Sequence, residues 1–436
     1  MNLPSALHSG QFVPLKCPCV LHCRSILRPV SNSFIISSIQ RDVKQGNDDE
    51  SRLIGQAMRA VISDYLRTPF HRAHKGELAS VRPEDMLEVT IREIIKRNNV
   101  DVNDVEDLML GCAYPEGVQG LNLGRIATYL PELPNTIPGM TTNRLCGSSM
   151  QVAHSAAGAI KLGSGELFLA AGVETMSLVK RGGWNRDLHQ GIESKYPDAY
   201  ISMGLTAENL AKDYSISRLE QEEFALHSHN KALSAQSNGL LTDEIVGIKA
   251  DENMIDVDGC MRETSIEKMS RLPPAFLEDG TVTAATSSPL TDGAACNLIC
   301  SDEYAQEHSL GGLAEIVSTS VVGVPPHIMG IGPVESSRKA LDRAGIKLDD
   351  VDVIELNEAF SAQSIAVLQD LNIASDDARL NIDGGALAIG HPLGASGARI
   401  LGKAASLLNR VDGEYALASM CIGGGMGIAT VLRKYE

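Results

Sequence analysis

Two periodicities alternate along the chain. From Glu84 to Lys96 the apolar residues recur at the spacing of an amphipathic helix, and the run that follows, VNDVEDLMLGCA from Val102 to Ala113, passes from a polar turn into an apolar strand. The same succession returns later. A helical pattern over Val334 to Ala344 is followed by LDDVDVIELNEA from Leu348 to Ala359, which matches the earlier run position for position in character. An echo of this kind marks a repeated structural unit, so the chain reads as two similar α/β halves. In the first half, strands are predicted at Ala60 to Asp64, Leu108 to Cys112 and Leu167 to Gly172. Helices are predicted over Pro83 to Arg97, Asn122 to Tyr129 and the segment after Cys146. Helices that alternate with short apolar strands make a layered α/β architecture.

From Leu178 to Ala285 this regularity lapses into charged turns and short helices such as Leu219 to Gln236. The amino-terminal stretch is different again. Met1 to Arg41 holds no Asp or Glu, carries Lys16, Arg24, Arg28 and Arg41, and is rich in serine, a bias shared with organellar transit peptides. It has no clear amphipathic period, and the apolar part of SFIISSI is too short for a secretory core. Residues 1–57 are therefore expected to be a disordered extension outside the fold, with an organellar address or an upstream start codon as the alternatives.

With 436 residues and 43% hydrophobic content the chain can bury a large core. A formal charge of -17 argues against nonspecific binding to nucleic acid or to an anionic membrane, and no apolar run is long enough to span one. Nine irregularly spaced cysteines do not form a disulfide framework, which points to a reducing compartment. Cys17, Cys19 and Cys23 cluster beside His22 but lack the paired spacing of a structural zinc site, so no metal is expected.

Candidate chemistry gathers at glycine-rich junctions. A free cysteine is usually a small buried hydrophobe. Cys146 departs from that because Gly147, Ser148 and Ser149 open a helix whose apolar positions are Met150, Ala153, Ala157, Ile160 and Leu162. Its sulfur is expected near unpaired helix-start amides, which would lower the thiol's pKa toward the nucleophilic thiolate. Cys421 lies in SMCIGGGMGIAT, Asn357 in NEAF, and His391 in GHPLGASGAR. The glycines and proline around His391 predict a tight turn before a helix over Ala398 to Leu408, with the ring at an exposed junction. Asparagine's ordinary job would be to satisfy such a turn. CIGGGMG is neither a dinucleotide fingerprint nor a phosphate loop, so close backbone approach to a thioester fits it better than a nucleotide cradle.

In this order and spacing, NRLCGSS, NEAF, GGALAIGHPLGASGAR and CIGGGMGIA resemble the signature blocks of the thiolase family, in particular the 3-ketoacyl-CoA thiolases. The likeness begins at about Met58 and runs to the last residue. It implies the thiolase fold, two similar α/β halves stacked as five layers (α-β-α-β-α) with an inserted loop domain. The implied boundaries are 58–177 for the amino-terminal half, 178–285 for the loop domain, 286–310 for the return of the first half and 311–436 for the second half.

The implied reaction is thiolytic cleavage of 3-ketoacyl-CoA by CoA, a reversible Claisen condensation of fatty acid β-oxidation that runs through an acyl-cysteine. On this likeness Cys146 is acylated, His391 is its base, and Cys421 is the separate acid and base. Asn357 holds a water that, together with the histidine, stabilises the thioester oxygen, while the amides of Cys146 and Gly423 form a second oxyanion pocket. Ser288 would meet the pantetheine arm, Arg262 the nucleotide end, and Met203 the acyl group. Coenzyme A enters as a substrate, with no other cofactor. The partners implied are CoA and acyl-CoA, a homodimer or homotetramer, and a β-oxidation multienzyme partner. A cytoplasmic location is expected, or an organellar one if residues 1–57 are a transit peptide.

Four positions depart from the family's usual blocks. Ser202 stands where short-chain enzymes carry histidine, which favours a longer acyl chain. Pro273 replaces the arginine of LRPAF, and Ala285 with Thr286 replaces the last residues of TAGN. These bear on substrate identity, not on reaction type.

Overall fold

The computed structural model describes residues 58–131, 133–184 and 187–436. The expected extension over residues 1–57, with its cysteine cluster, lies outside the described residues. In chain order the main strands are β1 (Ala60–Arg67), β2 (Asp107–Gly111), β3 (Gly139–Thr142), β4 (Leu167–Thr175), β5 (Thr291–Ser301), β6 (Ala314–Gly323), β7 (Val353–Leu356), β8 (Tyr415–Ile422) and β9 (Met426–Lys434). The helices that matter for the site are α1 (Pro83–Arg97), α2 (Ser148–Lys161), α3 (Met203–Asp213), α4 (Arg218–Ser237), α5 (Gly332–Ala344), α6 (Ser361–Leu371) and α7 (Leu393–Val411).

Strand pairing carries the internal repeat. In the first half β3 and β4 flank β2 in parallel, β4 runs antiparallel to β5, and β5 antiparallel to β1. The second half follows the same rule. Leu380 bridges Ile354 of β7 in parallel, β7 pairs β8 in parallel, β8 runs antiparallel to β9, and β9 antiparallel to β6. The two sets touch where Val61 and Ile62 of β1 pair with Glu315 and Ala314 of β6.

Side-chain alternation then builds the layers. A strand sends successive residues to opposite faces. Along β4, Leu167, Leu169, Ala171 and Val173 join the cluster that contains Met86, Leu87, Ile91 and Ile94 of α1. Phe168 and Ala170 face the other way, into a cluster with Met150, Val152 and Ala153 of α2 and Ile400, Leu401 and Ala404 of α7. The second half feeds that same central cluster with Ala416, Ala418, Met420 and Ile422 of β8, while Leu417 turns toward α5 and α6. The order is therefore helix, sheet, the α2–α7 pair, sheet, helix. Because both faces of the strands are covered, β1, β4 and β5 are buried along their whole length.

Several elements differ from expectation. β1 continues to Arg67 and β4 to Thr175, and the helix expected over Asn122 to Tyr129 shortens to Leu123–Ile126 before breaking into turns. The helix expected over Leu219 to Gln236 is α4, one residue longer at each end and started by a capping box in which Ser217 and Glu220 satisfy each other's backbone N–H groups. α7 begins at Leu393, ahead of the expected Ala398, and this earlier start changes the setting of His391.

Candidate active site

Cys146 sits on a locked turn. Leu145 is held at φ 45°, a left-handed conformation that a side chain with a Cβ seldom adopts. Asn143 Oδ1 accepts the Leu145 N–H at 2.8 Å and Ser148 Oγ accepts the Arg144 N–H at 2.9 Å, so the turn is fixed from both sides. The cysteine emerges partly exposed just before α2, and its sulfur receives the backbone N–H of Gly423 as well as its own. Those donors favour the thiolate, but burial favours the neutral thiol more strongly and pushes the pKa up to about 11. The expected lowering at the helix start is overturned, because desolvation outweighs two backbone dipoles.

His391 is buried, 4% exposed, where an exposed junction was expected. The cause is the early start of α7, which folds the turn back under β5. Gly390 occupies φ 111°, and a Cβ there would stand 2.8 Å from Thr291 Oγ1, so the turn requires glycine. Thr291 Oγ1 accepts the His391 backbone N–H at 3.0 Å. The ring's own contacts fix its tautomer. Ser396 Oγ donates to Pro392 O at 3.0 Å and lies 2.6 Å from His391 Nδ1, the arrangement of a ring with its hydrogen on Nδ1. Nε2 is then a lone pair, and Asn357 Nδ2 approaches it at 3.4 Å. Burial, reinforced by the Arg399 charge, lowers the imidazole pKa to about 3, so the ring is neutral.

Asn357 follows β7 directly, its N–H held by Ser419 O at 3.0 Å. Its Oδ1 is buried without a partner among the described residues, a carbonyl oxygen available to a donor from solvent or substrate. Cys421 is buried near the end of β8, and burial together with the neighbouring Cys146 sulfur raises its pKa well above the ordinary thiol value. Gly423 follows in the β8–β9 turn, where a Cβ would come within 3.3 Å of Met203 Sδ. Met203 opens α3 and packs, with Phe276, on the cluster containing Cys421, Ala207, Val282, Met329 and Phe360.

Among the described residues the structure thus brings together Cys146, Cys421, Gly423 and Met203, and separately joins His391 to Asn357. A third link connects the two groups, since Ser149 Oγ of α2 accepts the N–H of Ala398 in α7 at 2.8 Å. Ser288 directs both its N–H and its Oγ to Ala359 O, each at 3.0 Å, and so ties its segment to NEAF. Arg262 stands two residues after Cys260, whose sulfur would stand 3.0 Å from a Cβ on Gly390. The arginine's charge is felt by His229, its own pKa is lowered by burial and then by Arg72, and both ring nitrogens of His229 lack a partner among the described residues. Sequence reasoning missed Ser396, Thr291 and Ser149. Only Ser396 carried a signal, as a polar residue shortly after the histidine in the glycine-rich block.

Comparison with known proteins decides the family. The description "Thiolase, N-terminal domain" matches residues 60–303 and "Thiolase, C-terminal domain" residues 310–434. The chain belongs to the thiolase family. Among this thiolase's relatives, the 3-ketoacyl-CoA thiolase of Marinomonas sp. (strain MWYL1) is 44% identical over 383 residues, covering 86% of this chain and 98% of the relative. The 3-ketoacyl-CoA thiolase of Bacillus subtilis (strain 168) is 41% identical over 386 residues, covering 85% and 98%. The crystal structure of human mitochondrial 3-ketoacyl-CoA thiolase in complex with CoA superposes with a TM-score of 0.80 at 34% identity, covering 87% of this chain and 99% of that one. The thiolase fold inferred from the sequence is the fold observed.

Proposed function

We propose that this thiolase is a 3-ketoacyl-CoA acyltransferase that cleaves its substrate with CoA and runs through an acyl group on Cys146. The observation that carries the reading is the sulfur of Cys146 under the Gly423 N–H and beside Cys421, with a neutral His391 whose Nε2 lone pair, met only by the 3.4 Å contact of Asn357 Nδ2 among the described residues, can take a proton.

Both resting groups are neutral, so proton transfer and attack proceed together. Cys146 Sγ forms a bond to the keto carbon as its proton passes to His391 Nε2. The keto oxygen becomes an alkoxide, which backbone N–H groups or the Asn357 side chain would stabilise. When the alkoxide collapses, the bond between C2 and C3 breaks and its electron pair leaves on C2. Cys421 gives that carbon a proton, and acetyl-CoA departs. The thiolate left on Cys421 then takes the proton of incoming CoA, whose sulfur attacks the acyl-Cys146 carbonyl. Cys146 leaves as a thiolate and recovers its proton from His391, which closes the cycle.

CoA is the second substrate in this reading, and Ser288, Met203 and Arg262 are its proposed contacts on the pantetheine, acyl and nucleotide sides. Ser202 supports acyl chains longer than four carbons. Mixing the protein with CoA and 3-ketoacyl-CoAs of about four to sixteen carbons, and following loss of the ketoacyl-enolate absorbance, tests the proposal. Turnover is expected beyond four carbons. Activity confined to acetoacetyl-CoA rejects the chain-length reading, and no activity at any length rejects the enzyme.

A homodimer or homotetramer, with a β-oxidation multienzyme partner, belongs to the same proposal, and a sizing column tests the first part. Cytoplasmic residence is proposed as well. Among the described residues no helix is long and apolar enough to cross a membrane. A fluorescent fusion with and without residues 1–57 separates the cytoplasmic location from an organellar one.

A further inference from the structure

We propose that Glu174 is a positioning residue for catalysis, a buried clamp from the first half that sets where the second half's His391 stands relative to Cys146. The inference rests on the reading of Cys146 and His391 as the reacting pair.

Glu174 comes one residue before the end of β4 and is fully buried. Its carboxylate accepts hydrogen bonds from N–H groups of two separate elements. Oε2 takes the Ala113 N–H at 2.8 Å and the Gly394 N–H at 2.9 Å. Oε1 takes Gln119 Nε2 at 2.7 Å and the Tyr114 N–H at 3.3 Å. Gly394 lies in the first turn of α7, three residues beyond His391, while Ala113 and Tyr114 follow β2 and pack in one cluster with Cys146 and Leu393. One oxygen atom thus joins the segment that carries the histidine to the wall beside the nucleophile.

The surroundings leave this joint little freedom. A Cβ on Gly394 would stand 2.3 Å from the Val173 carbonyl oxygen, so α7 begins in direct backbone contact with β4. Burial pushes the Glu174 pKa up to about 7, while the hydrogen bonds from Gln119, Ala113, Gly394 and Tyr114 and the positive end of the α7 dipole act the other way and favour the carboxylate, so the test is run above about pH 8. A carboxylate can accept on both oxygens at once. A glutamine of the same shape cannot, because its NH2 would confront either Gly394 and Ala113 or Gln119 and Tyr114 as donor against donor. A displacement of about 1 Å at a reacting group can cost a hundredfold in rate, which makes the joint a point of catalytic control.

The test is a double-mutant cycle on the rate of Cys146 alkylation by iodoacetamide, read on the Cys146 peptide by mass spectrometry, together with kcat and KM for thiolysis. Glu174→Gln is expected to slow alkylation and lower kcat by about tenfold to hundredfold, with KM for acyl-CoA unchanged. In a His391→Ala background the same substitution should add nothing, since its effect passes through the histidine. Effects that multiply, or wild-type rates in Glu174→Gln, overturn the proposal. Gln119→Met is the second variant. It keeps the carboxylate to satisfy the buried backbone donors but loosens its aim, and a smaller slowing that also vanishes with His391→Ala is expected; one that persists there overturns the proposal even if Glu174→Gln does not fold. Wild-type alkylation and turnover in His391→Ala itself would refute the assignment of the base, a result distinct from failure of the clamp.

Discussion

Cys146 and His391 rest as a neutral thiol and a neutral imidazole, each for the same physical reason. Burial penalises whichever form is charged, so the thiol's pKa rises to about 11 and the imidazole's falls to about 3. A thiolate–imidazolium pair formed before substrate arrives would run against both shifts. Alkylation of Cys146 by iodoacetamide should accordingly keep accelerating from about pH 7 to beyond about pH 9, since the thiolate fraction is far from saturated. A plateau reached below about pH 8 would reveal a preformed ion pair. The Gly423 N–H acts in the opposite sense to burial, and its full benefit comes when negative charge develops in the reaction.

At the scale of the element, α7 does the most for the site, because its first turn carries His391's tautomer partner. Ser396→Ala removes the acceptor of Nδ1–H, frees the ring to adopt the other tautomer, and is expected to lower kcat by about tenfold with KM unchanged. A kcat within error of the wild type would show that the serine plays no part in orienting the base.

The start of this helix was not legible in the sequence, since Gly394, Ser396 and Gly397 read as turn residues and disfavour helix on propensity alone. Glycine stands at 394 and 397 because the neighbouring residues leave no room for a side chain. A Cβ on Gly397 would meet Met150 N at 2.4 Å. The bounds of α4, read as Leu219 to Gln236, came close to the observed Arg218–Ser237 without the help of a clear apolar stripe. Its buried positions include Gln221, Glu222, Ser228 and His229, so its inward face does not look apolar. By contrast α1 was legible over its full length, with Pro83 at its start, Glu84 and Asp85 in its first turn, Lys96 and Arg97 in its last, and an apolar inner stripe. The glycine-rich blocks that hold Cys146, Asn357, His391 and Cys421 were legible as motifs, but the burial of His391 was not, because Thr291 and α7 create it from distant parts of the chain.

Across the whole molecule, a buried ionic chain crosses between the halves and the irregular segment that separates them. Arg67 of β1 bonds Asp258 at 2.7 and 2.8 Å and Glu244 at 2.8 Å, both acids lying in the segment between β4 and β5. Glu244 meets Lys403 of α7 at 2.5 Å, and Lys403 reaches Asp383 at 2.8 Å. Asp258 also accepts the Phe70 N–H at 2.7 Å, so its loss would strand a buried guanidinium and a buried amide together. Asp258→Ala is expected to destabilise the fold by about 3–5 kcal/mol, read from the shift of the denaturant midpoint. A change below about 1 kcal/mol would mean that this ion pair does not hold the segment.

The most direct measurement of the central claim is covalent. The protein is incubated with a 3-ketoacyl-CoA longer than acetoacetyl-CoA in the absence of free CoA, quenched in acid, digested and weighed peptide by peptide. The shortened acyl group is expected on the peptide containing Cys146, discharged on addition of CoA and absent from Cys146→Ala. Acylation of a different residue, or turnover by Cys146→Ala at the wild-type rate, would contradict it.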